Sequence, residues 1–208
     1  YDILFIADEV ICGFGRTGSM FGTQTFGLKP DIITVAKALS SAYLPIAGVM
    51  ISEPIYQAMV RQSEKIGTFG HGYTYSGHPV CAAAALENLR IIEDEGLLDN
   101  TIAMGERVLA NLRALQDKHA VIGNVRGKGL FCGAELVADR ATKEPLDEKR
   151  VQAVVADCLA QGVIIGATNR SLPGLNNTLC LSPALIATES DIDRITDAID
   201  GALTRVMA

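Results

Sequence analysis

Two charged residues stand where apolar runs give way to loops: Asp8 in "ILFIADEV" and Lys37 in "DIITVAK". Both runs are short and rich in branched side chains, as expected of strands in an α/β sheet, and ligands bind at the carboxyl edge of such a sheet. A lysine in a partly desolvated pocket has a lowered pKa, so as a free amine it can form a Schiff base with an aldehyde. A carboxylate facing a pyridine nitrogen keeps that nitrogen protonated and makes the ring an electron sink. Acid and amine together therefore suit a pyridoxal cofactor. On spacing alone, a structural ion pair or two solvated strand ends is the commoner outcome.

Competing chemistry is weaker. Gly13, Gly15 and Gly18 in "DEVICGFGRTG" spell G-x-G-x-x-G after a strand. A dinucleotide loop must run directly into a helix and find an acid at the end of the next strand. Here "SMFGTQTFGLKPD" follows with no helical period, and Asp31 opens its strand rather than closing it. The glycines are expected to shape a turn. "GNVRGKG" (123–129) lacks P-loop spacing and a hydroxyl residue after its lysine. His71, His78 and His119 show neither i, i+4 spacing nor nearby ligands, so no metal is expected.

The elements that must position Asp8 and Lys37 follow from periodicity. Strands are expected at 3–10, 31–37 and 47–52, with 3–10 buried on both faces, and a glycine-rich loop runs from the first strand to about Lys29. "ALSSAYLP" reads as a loop, and "EPIYQAMVRQS" (53–63) as a short helix with Pro54 just inside its start. A Gly-, Thr- and Tyr-rich loop (66–80) ends in Ser76-Gly77-His78-Pro79, announcing a helix over 80–96. A second helix covers 97–119, with Ile102, Val108, Leu109, Leu112 and Leu115 near helical spacing. Beyond it come strands at 121–136, 162–167 and 178–185 and helices at about 147–161 and 189–206, an α+β alternation with its own core. A domain boundary is expected in the 97–119 region, giving domains 1–105 and 106–208. Opening on a strand without an initiator methionine, the chain reads as a piece of a longer protein.

Composition narrows the partners. With 208 residues, 49% of them apolar, the chain can bury a core. Its net charge of -6 is spread along the chain without basic runs, which argues against nucleic acid or an anionic membrane as partner. No run approaches the roughly 20 apolar residues that span a bilayer. The five cysteines, Cys12, Cys81, Cys132, Cys158 and Cys180, contain no C-x-x-C pair, which favours a reducing, cytoplasmic compartment.

Three stretches in this order, "ADEVICGFGRTGSMFG", "KPDIITVAKALSSAYLPIAGVMIS" and "FGHGYTYSGHPVCAAAALENL", resemble the fold-type I, class III aminotransferases, in particular the omega-amino acid or amine:pyruvate subgroup. The resemblance is close through residue 96 and looser beyond it, and it displaces the ion-pair reading. It implies part of a mostly parallel large-domain sheet with helices on both faces, then a small α+β domain, as the C-terminal part of the polypeptide. It also implies pyridoxal 5'-phosphate as cofactor, ping-pong transfer from an amine donor to pyruvate or another oxo acid, and a homodimer or tetramer with shared active sites.

By the same resemblance, Lys37 bonds the cofactor aldehyde and moves the proton, while Asp8 faces the pyridine nitrogen and Val10 packs on one ring face. Thr74 in "GYTYSGHP" reaches the cofactor phosphate of the neighbouring subunit, with Tyr73 and Tyr75 as loop or interface residues. Glu9 is expected to orient neighbouring groups without a catalytic role, Arg16 to be structural, and His71 and His78 to be loop or capping residues. Many relatives place a carboxylate-binding arginine near the position of Gly166; here the loop reads "GATNRSLPGLNN", which makes Arg170 the candidate. An aminomutase or decarboxylase on the same scaffold is the nearest alternative. A dinucleotide-dependent oxidoreductase built on Gly13, Gly15 and Gly18, or a non-catalytic interaction protein, is more distant.

Overall fold

The computed structural model describes residues 1–208, which divide into two units, Tyr1–Leu98 and Asp99–Ala208. The division falls in the first turn of one long helix, Leu97–Lys118.

The first unit is built on a three-stranded sheet of β1 (Ile6–Asp8), β2 (Ile32–Val35) and β3 (Gly48–Ile51), in that order. β1 and β2 are parallel, pairing Ile6 with Ile32 and Asp8 with Thr34, and β3 returns antiparallel to β2. α1 (Gly22–Thr25) interrupts the glycine-rich loop, α2 (Glu53–Ile66) follows β3, and α3 (Pro79–Asp94) follows the exposed 67–78 segment. Proline in the first turn of α2 and α3 suits their starts, since its missing N–H would have no helical partner there.

The strands differ from expectation in burial. β1 is only three residues long, and Ile6 is 56% exposed. Val49 and Met50 are consecutive on β3, so they point to opposite faces, yet both are exposed. The apolar runs are those of a twice-covered sheet, but this segment does not itself cover them.

The second unit opens in α4 (Leu97–Lys118) and continues through β4 (Ile122–Lys128), β5 (Phe131–Asp139), β6 (Glu144–Pro145), α5 (Glu148–Ala160), β7 (Gly166–Ala167), β8 (Thr178–Leu181) and α6 (Glu189–Met207). Its sheet runs β4-β5-β8-β7, antiparallel throughout, and β6 pairs with β5. One face carries Ala134, Leu136, Leu179 and Leu181, which join Val108 and Leu112 of α4, Val154 and Cys158 of α5, and Ile192, Ile199 and Leu203 of α6 in the core. Ile102, expected on the apolar stripe of α4, is exposed at 44%, whereas Leu109 and Leu115 pack against the core. α6 starts with a capping box between Thr188 and Asp191, and the Asp147 side chain caps α5. No helix of either unit is long and apolar enough to cross a membrane.

Candidate active site

Parallel pairing of β1 and β2 brings Asp8 and Lys37 to the same end of adjacent strands. Asp8 is the last residue of β1, and its strand partner Thr34 lies three positions before Lys37. The Asp8 carboxylate is oriented through one oxygen. Oδ1 accepts from the Val10 amide at 3.1 Å and from the Thr34 hydroxyl at 3.2 Å, which leaves Oδ2 available. Lys37 leaves the sheet with φ of 44° and opens a tight turn over Lys37–Leu39. Its carbonyl accepts from the amides of Ser40 at 3.2 Å and Ala42 at 3.1 Å, so the chain folds back on itself here. The partial desolvation assumed for the lysine is not found in this segment, because Asp8 and Lys37 are both exposed.

The glycine loop is held by Glu9, which alternates away from Asp8 and is only 3% exposed. Its carboxylate accepts from the amides of Gly22 at 2.8 Å and Thr23 at 2.6 Å, and its carbonyl accepts from the amide of Gly13 at 2.8 Å. Gly13 must be glycine, since a Cβ there would stand 2.7 Å from the Glu9 carbonyl oxygen. Gly15 and Gly18 take φ of 106° and 90°, open to glycine alone at low cost. The G-x-G-x-x-G stretch is thus a turn pinned to the residue beside Asp8. Arg16 lies partly buried in this loop, and desolvation lowers its guanidinium pKa from the usual value.

Val10 is half-buried just beyond β1, adjoining Asp8. Thr74 occupies an exposed turn, closed by the Tyr73 amide donating to Ser76 Oγ at 3.0 Å and the Ser76 amide donating to the Tyr73 carbonyl at 2.9 Å. His71 stacks edge-on between Phe69 and Tyr73. His78 holds the N-cap position of α3, but its side chain makes no capping bond, contrary to one of the expected roles. Arg170 belongs to the second unit, exposed in the 168–177 loop between β7 and β8. That loop is tied down by Glu148, whose Oε1 accepts from the Asn176 side chain at 3.0 Å and from the amides of Gly174 at 2.7 Å and Asn176 at 3.2 Å. These bonds, that of the Asn176 side chain foremost, hold the Glu148 carboxyl below its usual range.

The structure therefore gathers Asp8, Val10 and Lys37 at one sheet edge, with Thr74 and Arg170 on separate loops. The partners of Glu9 and the role of Glu148 were not legible in the sequence. Each depends on backbone amides 13 to 28 positions away, a relation without a local pattern.

The fold is thus an α/β unit with an acid and an amine at the same end of adjacent parallel strands. The chain belongs to the class-III aminotransferase family, whose profile matches residues 1–203. It is 65% identical to a hypotaurine/taurine–pyruvate aminotransferase of Paracoccus denitrificans, over the whole chain and 46% of that protein. It is 60% identical to a taurine–pyruvate aminotransferase of Rhodobacter capsulatus, again over the whole chain and 46% of that protein. Among solved structures, a thermostable omega transaminase mutant from Pseudomonas jessenii superposes with a TM-score of 0.91 at 41% identity, covering 99% of this chain and 44% of that one. The chain thus spans about half the length of the curated relatives it matches. The comparisons support that share, not the C-terminal position expected from the sequence.

Proposed function

We propose that the polypeptide containing this chain is a pyridoxal 5'-phosphate-dependent aminotransferase that moves an amino group from an ω-amino acid or amine to pyruvate or a similar oxo acid. The observation that carries the reading is the placing of Asp8 and Lys37 at the same end of two parallel strands. The donor set fits the cofactor: a primary amine for its aldehyde, and a carboxylate with Oδ1 already engaged and Oδ2 left to meet a pyridine N–H. When bound, the cofactor supplies the electron sink that makes the substrate C–H acidic.

The residues of the chain supply the rest. Lys37 Nζ would hold the cofactor through its aldehyde and would serve as the general base and acid that moves the substrate proton. Asp8 Oδ2 would keep the pyridine nitrogen protonated, and Val10 would pack against the ring. Thr74 would donate its hydroxyl to the cofactor phosphate of a neighbouring copy, in a homodimer or tetramer with shared sites. Arg170 receives the substrate carboxylate by bidentate hydrogen bonding. The two taurine–pyruvate aminotransferases above favour a donor of the taurine type, a short amine ending in a sulfonate. The five free cysteines accord with a cytoplasmic setting.

A donor panel on the complete polypeptide tests this reading. With pyruvate as acceptor, taurine and other ω-amines are expected to yield alanine stoichiometrically, and Lys37→Ala to abolish turnover. Loss of carbon dioxide from an amino acid without any oxo acid present, or turnover retained by Lys37→Ala, refutes it.

A further inference from the structure

The turn that carries Lys37 is strained and has no glycine to relieve it. Lys37, Ser41 and Ala42 have φ of 44°, 48° and 60°, in the left-handed region that side-chain-bearing residues rarely adopt. Such a conformation persists only where its surroundings over-determine it. Part of the restraint is local: the Ser40 hydroxyl, in a residue only 2% exposed, donates to the Leu44 carbonyl at 2.7 Å. A second restraint comes from one side chain on α3.

Asn88 donates through Nδ2 to the carbonyls of Ala38 at 2.7 Å and Leu39 at 3.3 Å, and its Oδ1 accepts from the Ser41 hydroxyl at 2.5 Å. Both amide protons and the amide oxygen are used. Rotating the amide by half a turn would set its oxygen against two carbonyl oxygens, so the network admits one orientation. The three contacted residues follow Lys37 within the same turn. Asn88 thus reaches the lysine-bearing backbone from a helix 50 positions away in sequence.

We propose that Asn88 is a positioning residue: by clamping the 38–41 backbone it fixes where Lys37 emerges from the sheet edge and hence where Nζ is presented. The proposal rests on the reading of Lys37 as the cofactor-bonding lysine. Misplacing a reacting group by about 1 Å costs on the order of a hundredfold in rate. Losing the clamp is therefore expected to act on kcat and to leave donor binding nearly unchanged.

The test uses the full-length protein with Asn88→Asp, Asn88→Ala and Ser41→Ala. Asn88→Asp keeps the shape but replaces both donations with oxygen-to-oxygen repulsion. In cofactor-free protein, amide hydrogen exchange over 37–44 is expected to rise about tenfold, with exchange in the β4–β5 hairpin unchanged. In the loaded enzyme, kcat falls about 10- to 100-fold with KM for the amine within about twofold, and borohydride reduction fixes less cofactor on Lys37. Ser41→Ala leaves two of the three bonds and shows a smaller change in the same direction. It decides the matter should the Asn88 variants fail to fold. Faster exchange with wild-type kcat and wild-type trapping overturns the proposal, because the clamp would then be structural only. Unchanged exchange overturns it as well. Turnover retained by Lys37→Ala instead refutes the underlying reading and leaves the exchange result standing.

Discussion

Replacing Glu9 with alanine removes the acceptor for two buried amides beside the candidate site. The carboxylate is 3% exposed and takes hydrogen bonds from Gly22 at 2.8 Å and Thr23 at 2.6 Å, both themselves buried. A hydrogen bond to a charged group contributes roughly 1.5–3 kcal/mol, and an orphaned buried N–H costs a similar amount, so losing both bonds destabilises by about 3–6 kcal/mol. That is a large fraction of the roughly 5–15 kcal/mol that holds a domain together. Glu9→Gln keeps the volume and one carbonyl acceptor but turns an NH2 toward the second amide, which lowers the expected cost to about 1.5–3 kcal/mol. The assay is urea unfolding of the full-length variants, with amide exchange read over residues 13–26. Alanine should lower the midpoint more than glutamine does, and exchange should accelerate at Gly22 and Thr23 in both. An alanine variant within about 0.5 kcal/mol of wild type, with exchange at these amides unaltered, would refute the assignment of Glu9 as the anchor of the loop.

Gly105→Ala should destabilise the second unit by about 1–3 kcal/mol despite alanine's better helix propensity, because the new Cβ would lie within 2.7 Å of the Gly129 Cα and closer still to its carbonyl; a denaturation midpoint at or above wild type contradicts this. Stability should fall in acid: hydrogen bonds from His119 and then Lys118 hold the Asp200 carboxyl below its usual value, and the Arg107 and Arg205 guanidiniums do the same for Asp193 and Asp157. With folded pKa values depressed, this stabilisation is complete above the unfolded value of about 3.9 and is lost as pH falls through the folded values. Asp200→Asn should therefore flatten the profile below about pH 4, and an unchanged slope rejects the pairing. Burial pushes the Cys132 and Cys158 thiols up to about 11, so at pH 8 roughly one in a thousand is thiolate. Iodoacetamide mapped by mass spectrometry should spare both until denaturant is added, and prompt labelling in the native protein would refute their burial.

Periodicity and punctuation in the sequence placed most elements near their observed bounds: α3 at Pro79–Asp94, α4 at Leu97–Lys118 and α6 at Glu189–Met207 each follow an apolar stripe bounded by proline, glycine or a cap residue. Such signals are local, and local sequence suffices for them. The glycine stretch could likewise be read as a turn and not a dinucleotide loop, since no helical period of adequate length follows it. Short elements escaped: α1 has four residues, and the turn at Lys37 is imposed by tertiary hydrogen bonds against backbone preference.

By itself, then, the sequence determined the alternation of strands and helices, the presence of Asp8 and Lys37 at strand ends, and a likeness to one family. Only the tertiary structure decided the register of the expected parallel pair, Asp8 against Thr34, and that β3 turns back antiparallel to β2. It alone revealed Glu9 locking the glycine loop and Asn88 clamping the turn after Lys37. The physical reason is range: propensity and periodicity act over a few residues, whereas a buried carboxylate or amide finds its partners wherever the fold leaves an unpaired donor or acceptor.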